Sequence, residues 1–466
     1  GGAGVIEVPL ALNYGMARSS VASGGNLVNL YAQSTPEGAE GSVVLIGVPG
    51  TKKVADLRYT TLAGTFPETS VNAMIFAFNK VIAVCDNATY LMDENGTWSH
   101  FGTGLPGQVR TAFNRFDVVA VNGERGIWIN EGGVDEITGD GWYPANDVAF
   151  LDSYFVFNRA GTGQFFQTGS YNRTLNPLDF AEAEKAPDNG LAVLAVGDNL
   201  LLFGDQSMEA WYNAGNPVGF AFSRIPGATV EHGIASQTTA CQFNGQAFWL
   251  SNGGLVMTAG ATGGAQRISD DQVEAALKDR GGDWDMSRAF MYADEGHVFY
   301  VLTVGNITLA YDMATGYWAQ RSNYSRGCII ARCYVQAWGR HFVGDDQGRI
   351  LEMSSGFYED AGEPLIAEAV TMPYTNGRNF SAIGQFEVRM DTGLSPMGGE
   401  YQVRLAVSGD GVSWSPERPS TIGVSGDREK VVRWGKLGAR KKHRVRLRIS
   451  DPFRRALMAQ AWMAVG

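Results

Sequence analysis

The sequence has few of the residues that build metal centres, disulfide frameworks or membrane spans. Its 466 residues include only four cysteines and five histidines. The two closest cysteines, Cys328 and Cys333, have no neighbouring histidine pair, so their spacing fits no zinc template. We therefore expect buried thiols outside any disulfide. No apolar run approaches the roughly 18 to 20 residues that a membrane helix needs, so we expect no membrane span.

Charged residues are also sparse, whereas glycine and aromatic residues are abundant. Charged side chains make up 18% of the sequence and aromatic side chains 11%. The 60 glycines are nearly double the average share of about 7%. This combination indicates many short strands, many tight turns, and aromatic side chains packed between sheets. The composition predicts an all-β protein.

Internal repetition is the most informative pattern in the chain. Seven segments share a strand, a turn with Asn, Asp or Gly, an apolar second strand and a third strand, and their starts lie roughly 35 to 50 residues apart. The segments begin at Phe78, Phe113, Leu151, Val196, Phe243, Asp294 and Trp338. Antiparallel meanders at this period are typical of β-propeller blades, because one small sheet cannot bury both of its faces.

We therefore predict a β-propeller of about seven blades, and six or eight stay open because N-terminal strands could join the ring. Five tryptophans are expected to fill the gaps between blades: Trp98, Trp128, Trp211, Trp249 and Trp318. The competing interpretation is a pair of β-sandwiches with coincidentally spaced hairpins. One short helix is expected between blades in ISDDQVEAALKDR, with Ser269 as its N-cap.

Changes in pattern along the chain predict three regions. Residues 1–45 show little regular pattern and are interpreted as an N-terminal arm. Residues 46–360 contain the repeats and are assigned to the propeller. Residues 361–466 show strict alternation of apolar and polar residues, with turns about every ten residues. This pattern predicts a separate C-terminal antiparallel β-sandwich.

The charge is unevenly distributed. The whole chain carries a formal charge of −11, yet residues 428–455 hold twelve Lys or Arg and two acids, a net charge of +10. The rest of the chain therefore carries −21. Within the basic region, six of nine residues are Lys or Arg, with His443 as a seventh basic side chain. The six are Arg440, Lys441, Lys442, Arg444, Arg446 and Arg448.

This basic run predicts a strand with a guanidinium-lined face. Val445, Leu447 and Ile449 would point to one side of the strand and the three arginines between them to the other. Three hypotheses compete for that face. It is simply solvated, or it contacts DNA phosphates in a channel, or it contacts the acidic surface of a neighbouring copy of the chain. We favour the third, because head-to-tail contacts between complementary surfaces close into rings.

The motifs that could carry catalysis are weak. GTGLPG, residues 102–107, has the spacing of a dinucleotide-binding fingerprint, but no helix follows it, so a loop between blades is expected. LMDENGTW and SGDGVSW resemble the Asp-box turns of sialidase-like propellers, which stabilise a turn and carry no catalysis. A glycoside hydrolase would need two carboxylates facing each other across a pocket, about 5 to 9.5 Å apart.

We expect no enzyme activity, catalytic residue, cofactor or metal. The alternative is a carbohydrate-binding or glycan-hydrolysing β-propeller.

Four stretches together resemble a known family. They are LVNLYAQSTPEGAEGSVVLIGVPGTKKVAD (residues 27–56), SMEAWYNAG (207–215), TVEHGIAS (229–236) and VRWGKLGARKKHRVRLRISDP (432–452). In pattern and order they are similar to the tail-hub, or nozzle, proteins of short-tailed bacteriophages, also called packaged-DNA stabilisation or tail accessory proteins. None of the four stretches is a catalytic motif, and the resemblance covers most of the chain.

The resemblance implies a structural virion protein with a defined set of partners. Such a subunit contains a β-propeller and assembles as a hexameric ring below the portal and adaptor proteins. The ring retains packaged DNA, with non-specific contact to the duplex, and forms the ejection channel. It also anchors tailspikes or tail fibres and a central needle or plug. The expected location is the phage tail of the virion, with passage through the host cytoplasm during assembly.

Overall fold

Each of the seven repeats forms an antiparallel blade of four strands; five blades are separate sheets, and the last two continue into larger sheets, one of them with its fourth strand taken from the N-terminal segment. In the computed structural model, the described residues are 4–17, 19, 23–36, 41–59, 70–183, 188–280, 284–325, 327–391, 400–422 and 429–466. The seven blades form a β-propeller, and the remaining strands form a two-layered β-sandwich. The predicted fold class is confirmed, and the described residues form seven blades.

The strands before the first blade and those of blades 1 to 3 have the following bounds. The N-terminal segment holds β1 (Gly4–Pro9), β2 (Leu27–Val28), β3 (Leu30–Ser34), β4 (Val43–Gly47) and β5 (Gly50–Asp56). Blade 1 holds β6 (Val71–Ala77), β7 (Lys80–Cys85), β8 (Ala88–Met92) and β9 (Trp98–Thr103). Blade 2 holds β10 (Arg110–Phe113), β11 (Val118–Val121), β12 (Gly126–Asn130) and β13 (Gly133–Glu136). Blade 3 holds β14 (Val148–Leu151), β15 (Tyr154–Asn158), β16 (Gln164–Thr168) and β17 (Leu175–Glu182).

Blades 4 to 7 follow in the same order. Blade 4 holds β18 (Gly190–Val196), β19 (Asn199–Gly204), β20 (Met208–Asn213) and β21 (Phe222–Val230). Blade 5 holds β22 (Cys241–Phe243), β23 (Gln246–Leu250), β24 (Val256–Gly260) and β25 (Gly263–Arg267). Blade 6 holds β26 (Arg288–Asp294), β27 (His297–Val304), β28 (Ile307–Asp312) and β29 (Trp318–Arg321). Blade 7 takes β30 (Ala331–Ala337), β31 (Arg340–Asp345) and β32 (Arg349–Ser354), with β5 as its fourth strand.

The sandwich is built mainly from the C-terminal strands. These are β33 (Glu359–Asp360), β34 (Glu363–Pro364), β35 (Ala367–Val370), β36 (Tyr374–Thr375), β37 (Ser381–Asp391), β38 (Gln402–Ser408), β39 (Arg418–Thr421), β40 (Glu429–Arg440), β41 (Lys442–Ile449) and β42 (Ala456–Val465). One layer has the order β3-β4-β42-β37-β40, and β1 also pairs with β42. The other layer has the order β35-β41-β38-β39. The short strands β33 and β34 instead extend the sheet of blade 7.

The turns of the repeats explain why the sequence period was visible. In every repeat, the predicted start lies at the hairpin between the first and second strands of a blade. Phe78 and Asn79 have φ values of 53° and 54°, and Asn244 and Gly245 have φ values of 48° and 76°. Two consecutive residues with positive φ are the signature of the tight hairpin turn that matches strand twist, and Asn and Gly adopt it at least cost.

Apolar side chains between neighbouring blades hold the ring together. Seven separate clusters of buried residues lie between sheets, one in each gap, and an eighth is the core of the sandwich. Trp128, Trp211, Trp249 and Trp318 are buried in four of these gaps, and Trp98 packs partly buried against the cluster between blades 7 and 1. The predicted role of these five tryptophans is confirmed.

The N-terminal segment, interpreted from sequence as an arm, contributes strands to both parts of the molecule. β5 pairs with β32 from Gly50↔Ser354 to Asp56↔Arg349 and completes blade 7. β1 and β4 pair with β42 in the sandwich. β2 pairs with β29 of blade 6 on one side and with β35 on the other, so that blade and the second sandwich layer form one continuous sheet. The pairing partners lie hundreds of residues away, so the local pattern carries no signal of these strands.

The helix and the Asp-box turns expected from the sequence are also present. The helix α1 spans Asp271–Arg280, but its cap is Asp270, whose carboxylate accepts from the Val273 backbone N–H at 2.9 Å. The Ser269 hydroxyl instead donates to Glu274, which corrects the predicted N-cap.

In SGDGVSW, the Asp410 carboxylate accepts from two backbone N–H groups and from the Ser408 hydroxyl. These hydrogen bonds hold the pKa of Asp410 below its usual range.

Asn29 connects the propeller to the sandwich. It lies between β2 and β3 with a φ of 55°, a left-handed conformation that Asn tolerates better than most residues. Its side chain is 2% exposed, and its amide donates to the Ser322 and Ile366 carbonyls, both at 2.7 Å. Its Oδ1 accepts from the Ser322 backbone N–H at 3.0 Å. Ser322 follows the last strand of blade 6 and Ile366 precedes β35, so one side chain joins the two domains.

We predict that Asn29→Ala lowers the free energy of unfolding by about 3 kcal/mol, because two partly buried carbonyls lose their donor and alanine resists the left-handed conformation. The control is Asn26→Ala, since the Asn26 amide makes only a 3.5 Å contact with Gln320. Urea denaturation followed by tryptophan fluorescence measures both changes. A loss below about 1 kcal/mol for Asn29→Ala would contradict this role.

Candidate interaction surface on the C-terminal sandwich

The basic run forms β41, a central strand of the second sandwich layer. β41 pairs with β35 on one side, through Glu368↔Arg448, and with β38 on the other, through Ala406↔Arg446. Val445, Leu447 and Ile449 are buried in the sandwich core, each 1% exposed. The arginines alternate with them, so the predicted strand and its alternation are confirmed. The guanidinium-lined face is the outer face of this layer.

Two of these arginines meet acids of the same layer. The Arg448 guanidinium lies 2.6 Å from Glu368 and 2.8 Å from Glu417. The Arg446 guanidinium lies 3.4 Å from Glu417 and sits over the Trp414 ring, 4.7 Å from its centroid. Trp414 belongs to the Asp-box turn after β38. Much of the positive charge of this face is therefore already balanced within the chain, which the linear sequence did not indicate.

Arg444 is buried rather than displayed. It is 2% exposed, and its guanidinium donates to the carbonyls of Asp410 at 2.7 Å and Ser23 at 2.6 Å. Burial lowers the pKa of Arg444 from its ordinary value. Gly411, with a φ of 80°, leaves the space for the guanidinium, since a Cβ at that position would collide with it. Arg444 thus ties the Asp-box turn to the N-terminal segment.

His443 is not part of the basic surface either. It is 1% exposed, and its Nε2 lies 2.9 Å from the Ser381 carbonyl and 3.1 Å from the Ser381 hydroxyl. Burial lowers the pKa of His443 below its ordinary value, so the ring is neutral at pH 7. The count of seven basic side chains in this run therefore overstates the solvent-exposed positive charge.

The start of the run remains displayed at the turn between β40 and β41. Lys441 is exposed, and its ammonium lies 5.3 Å from the centroid of the Phe380 ring. Phe380 is itself 67% exposed, and Arg378, two residues before it, is also exposed. Arg440 donates to the Leu437 carbonyl at 2.9 Å and is half-buried, as is Lys442. We name Arg378, Phe380, Arg440 and Lys441 the turn cluster.

Outside this domain, a pair of acids in contact with each other stabilises a loop. Asp188 and Asp205 are hydrogen-bonded to each other, and Asp188 also accepts from the backbone N–H groups of Gln206 and Ser207. Asp205 donates its carboxyl proton to the Asp188 carboxylate, and this hydrogen bond raises the pKa of Asp205 to about 6. Two carboxyl groups in direct contact leave no room for a substrate between them, unlike the separated acids of a glycoside hydrolase.

Two further observations concern the described residues alone. No group of three His, Cys, Asp or Glu side chains in that part of the chain is arranged to hold a metal ion. No helix there is long and apolar enough to cross a membrane. The sequence GTGLPG forms the end of β9 and the loop that leads to blade 2, as expected.

Comparison with known proteins identifies both domains. A family model described as bacteriophage P22 Gp10, beta-propeller, matches residues 15–356. A second model, described as bacteriophage P22 Gp10, beta-sandwich, matches residues 368–463. No curated protein gives a match.

Several solved structures are similar to this chain at low sequence identity. Virginiamycin B lyase from Staphylococcus aureus is 10% identical, with a TM-score of 0.46 over 61% of this chain and 95% of that one. BamB from Moraxella catarrhalis is 10% identical, with a TM-score of 0.38 over 60% and 93%. The Pan2 WD40 domain from Neurospora crassa is 6% identical, with a TM-score of 0.45 over 65% and 94%.

We predict a large difference between two neighbouring arginines of β41. Arg444→Met is expected to lower the free energy of unfolding by about 3 kcal/mol, because buried carbonyls lose their donor. Arg446→Met is expected to cost no more than about 1 kcal/mol, because a partly exposed ion pair with Glu417 contributes little. Chemical denaturation of the two variants measures the difference, and equal losses would contradict the burial argument.

We predict that Asp205→Asn stabilises the protein at neutral pH. The pKa of Asp205 is raised in the folded state, so its ionisation destabilises the fold as the pH rises from about 4 through 6. An asparagine escapes this loss and is expected to gain about 1 kcal/mol at pH 7, a value reduced for solvent screening. Melting temperatures from pH 4 to 8 test this, with the exposed Asp198→Asn as control. The gain of Asp205→Asn should vanish near pH 4, and a pH-independent difference would contradict the assignment.

Proposed function

The chain belongs to the bacteriophage P22 Gp10 family of tail-hub proteins from short-tailed phages, and from this premise we propose that it assembles as a hexameric ring in the tail. The family makes it a structural protein of the phage tail and a component of the virion. In our proposal the ring lies below the portal and adaptor, retains packaged DNA and lines the ejection channel. Tailspikes or fibres and a needle or plug attach to it.

The observation that carries the ring proposal is the separation of charge within one chain. Residues 428–455 carry +10 and the rest of the chain −21. Surfaces of opposite charge on identical subunits attract each other head to tail, and a rotation between neighbours closes such contacts into a ring. The interface would be heterologous, with the sandwich of one subunit against the acidic surface of the next.

The turn cluster, which combines the start of the basic run with Arg378 and Phe380, is the surface that we assign to this interface. Arg446 and Arg448 already pair with Glu417 and Glu368, and Arg444 is buried. Arg440 and Lys441 lie at the turn before them, beside the exposed ring of Phe380, and Lys442 is half-buried there. An exposed aromatic ring flanked by cations is typical of the residues that dominate protein interfaces.

Contact with packaged DNA is the other use that a basic turn supports. Lysine and arginine bind phosphate oxygens without reading sequence, and the affinity falls steeply with salt as counterions are released. In our proposal this contact is weak, because tight phosphate binding would also hold the DNA during ejection. The subunit would pass through the host cytoplasm before it joins the particle. We propose no enzymatic role for it.

We predict that the double variant Arg378→Glu, Lys441→Glu loses ring assembly on the portal–adaptor complex by tenfold or more, while its melting temperature is unchanged. Both side chains are exposed, so charge reversal should not disturb the fold. Mass photometry of the mixture counts the bound subunits. The control is Arg115→Glu, another exposed arginine, on the β10–β11 hairpin of blade 2.

The same experiment separates the proposed uses of the turn. Normal assembly with weakened, salt-sensitive binding to duplex DNA would overturn the interface and favour the phosphate contact. Normal assembly and unchanged DNA binding would leave the turn merely solvated. Quantitative mass spectrometry of purified virions tests the ring itself, since a hexamer below a twelve-subunit portal requires one copy for every two portal subunits.

A further inference from the structure

A cavity at the propeller axis, where several blades meet, is rich in arginine. The cavity there has a volume of about 660 Å³ and is lined by the first strands of the blades and by the loops that lead into them. Three arginines, Arg110, Arg288 and Arg332, lie at the beginning of β10, β26 and β30. The first strands of all blades run in the same direction around the axis, so the three side chains meet at the same end.

Arg110 is neutralised within the protein. Its Nε lies 2.9 Å from the Asp147 carboxylate, which is completely buried. The Arg110 guanidinium also donates to the Ala240 carbonyl at 3.2 Å. Asp147 in turn accepts from the backbone N–H groups of Val148 and Val193. This ion pair is part of the architecture of the ring and leaves no charge for a ligand.

Arg288 and Arg332 have no such partner. The Nε of Arg288 donates to the Ala331 carbonyl at 3.3 Å, and an Nη of Arg332 donates to the Gly107 carbonyl at 2.8 Å. These acceptors are neutral, and within the described part of the chain neither arginine forms an ion pair. No aspartate or glutamate is among the described residues that line the cavity. In a chain with a net charge of −11, this is a local excess of positive charge.

The two guanidinium groups also act on each other. Burial is the main cause that lowers the pKa of Arg288, and the charge of Arg332 lowers it further, against opposing contributions from Cys328, Asp346 and Cys333. Like charges in a partly enclosed cavity repel, and removal from water adds to the cost. An anion between them would relieve both effects, because a guanidinium binds phosphate and carboxylate oxygens through paired N–H groups.

We propose that Arg288 and Arg332 form a binding site for a small polyanion at this end of the propeller axis. The ligand carries phosphate or carboxylate groups. A cavity of about 660 Å³ falls within the range of small-molecule sites and is much larger than one phosphate needs. Gln108, Thr238 and Asn72 line the same cavity and offer hydrogen bonds, and Met286 and Phe290 supply apolar wall. This proposal does not depend on the proposed ring, because its arginines belong to the propeller and not to the turn cluster.

The test is calorimetric titration of the full chain at low ionic strength with two probes, pyrophosphate and citrate. Saturable binding of one probe per chain is expected, and the tighter probe identifies the source of the oxygen atoms. Arg332→Met is expected to weaken that binding by tenfold or more, and sodium chloride is expected to compete. The probe should also raise the melting temperature of the unmodified chain, and Arg332→Met should abolish this rise.

Controls keep the outcome decisive. Arg115→Met removes an exposed arginine at the opposite end of the blades and should leave binding unchanged. If Arg288→Met fails to fold because the Ala331 carbonyl loses its donor, Arg332→Met still tests the site, since its own acceptor lies in an interblade loop. Absence of saturable binding by both probes up to 10 mM, a concentration about tenfold above a millimolar Kd, would overturn the proposal. Binding that Arg332→Met leaves intact would overturn it equally.

Discussion

The architecture depends on strand pairing between the N-terminal segment and residues about three hundred positions later. β5 supplies the fourth strand of blade 7, and β2 joins blade 6 to the sandwich. Without β5, blade 7 would expose an unpaired edge and the ring would have no strand linking its two ends. Bringing such distant strands together costs loop-closure entropy before any stabilising contact has formed. The seven clusters between blades and the sandwich core must therefore form cooperatively with this pairing.

Buried polar side chains add to the strand pairing that connects the two domains. Arg455 is 2% exposed, and its guanidinium donates to the carbonyls of Tyr358, Leu365 and Asp451. Burial lowers its pKa to about 10, so it stays charged at neutral pH. Together with Asn29 and Arg444, it satisfies carbonyl groups of connecting segments that lie outside the strand ladders. A buried carbonyl left without a donor is costly, which makes these side chains constraints on the relative position of the domains.

The positive charge of this acidic chain has several distinct environments. On the outer face of β41 it is balanced by glutamates of the same sheet. At the turn before β41 it is displayed beside an exposed aromatic ring. At the propeller axis it is held in a cavity without a lining acid among the described residues. A guanidinium group that is paired with a carboxylate of the same chain has a structural role, whereas one without such a carboxylate is available to bind a ligand or partner.

The sequence by itself determined the all-β class, the seven repeats, the tryptophans of the gaps and the alternation of the basic strand. These features follow from local chemistry, because turn residues with positive φ, period-two alternation and strand length each depend on residues that are neighbours in sequence. Only the tertiary structure decided which arginines are displayed, because Glu368, Glu417 and the Ser23 carbonyl reach β41 from distant parts of the chain. The same holds for the N-terminal strands and for the arginines at the propeller axis. Their partners, or the lack of them, depend on contacts that no local pattern encodes.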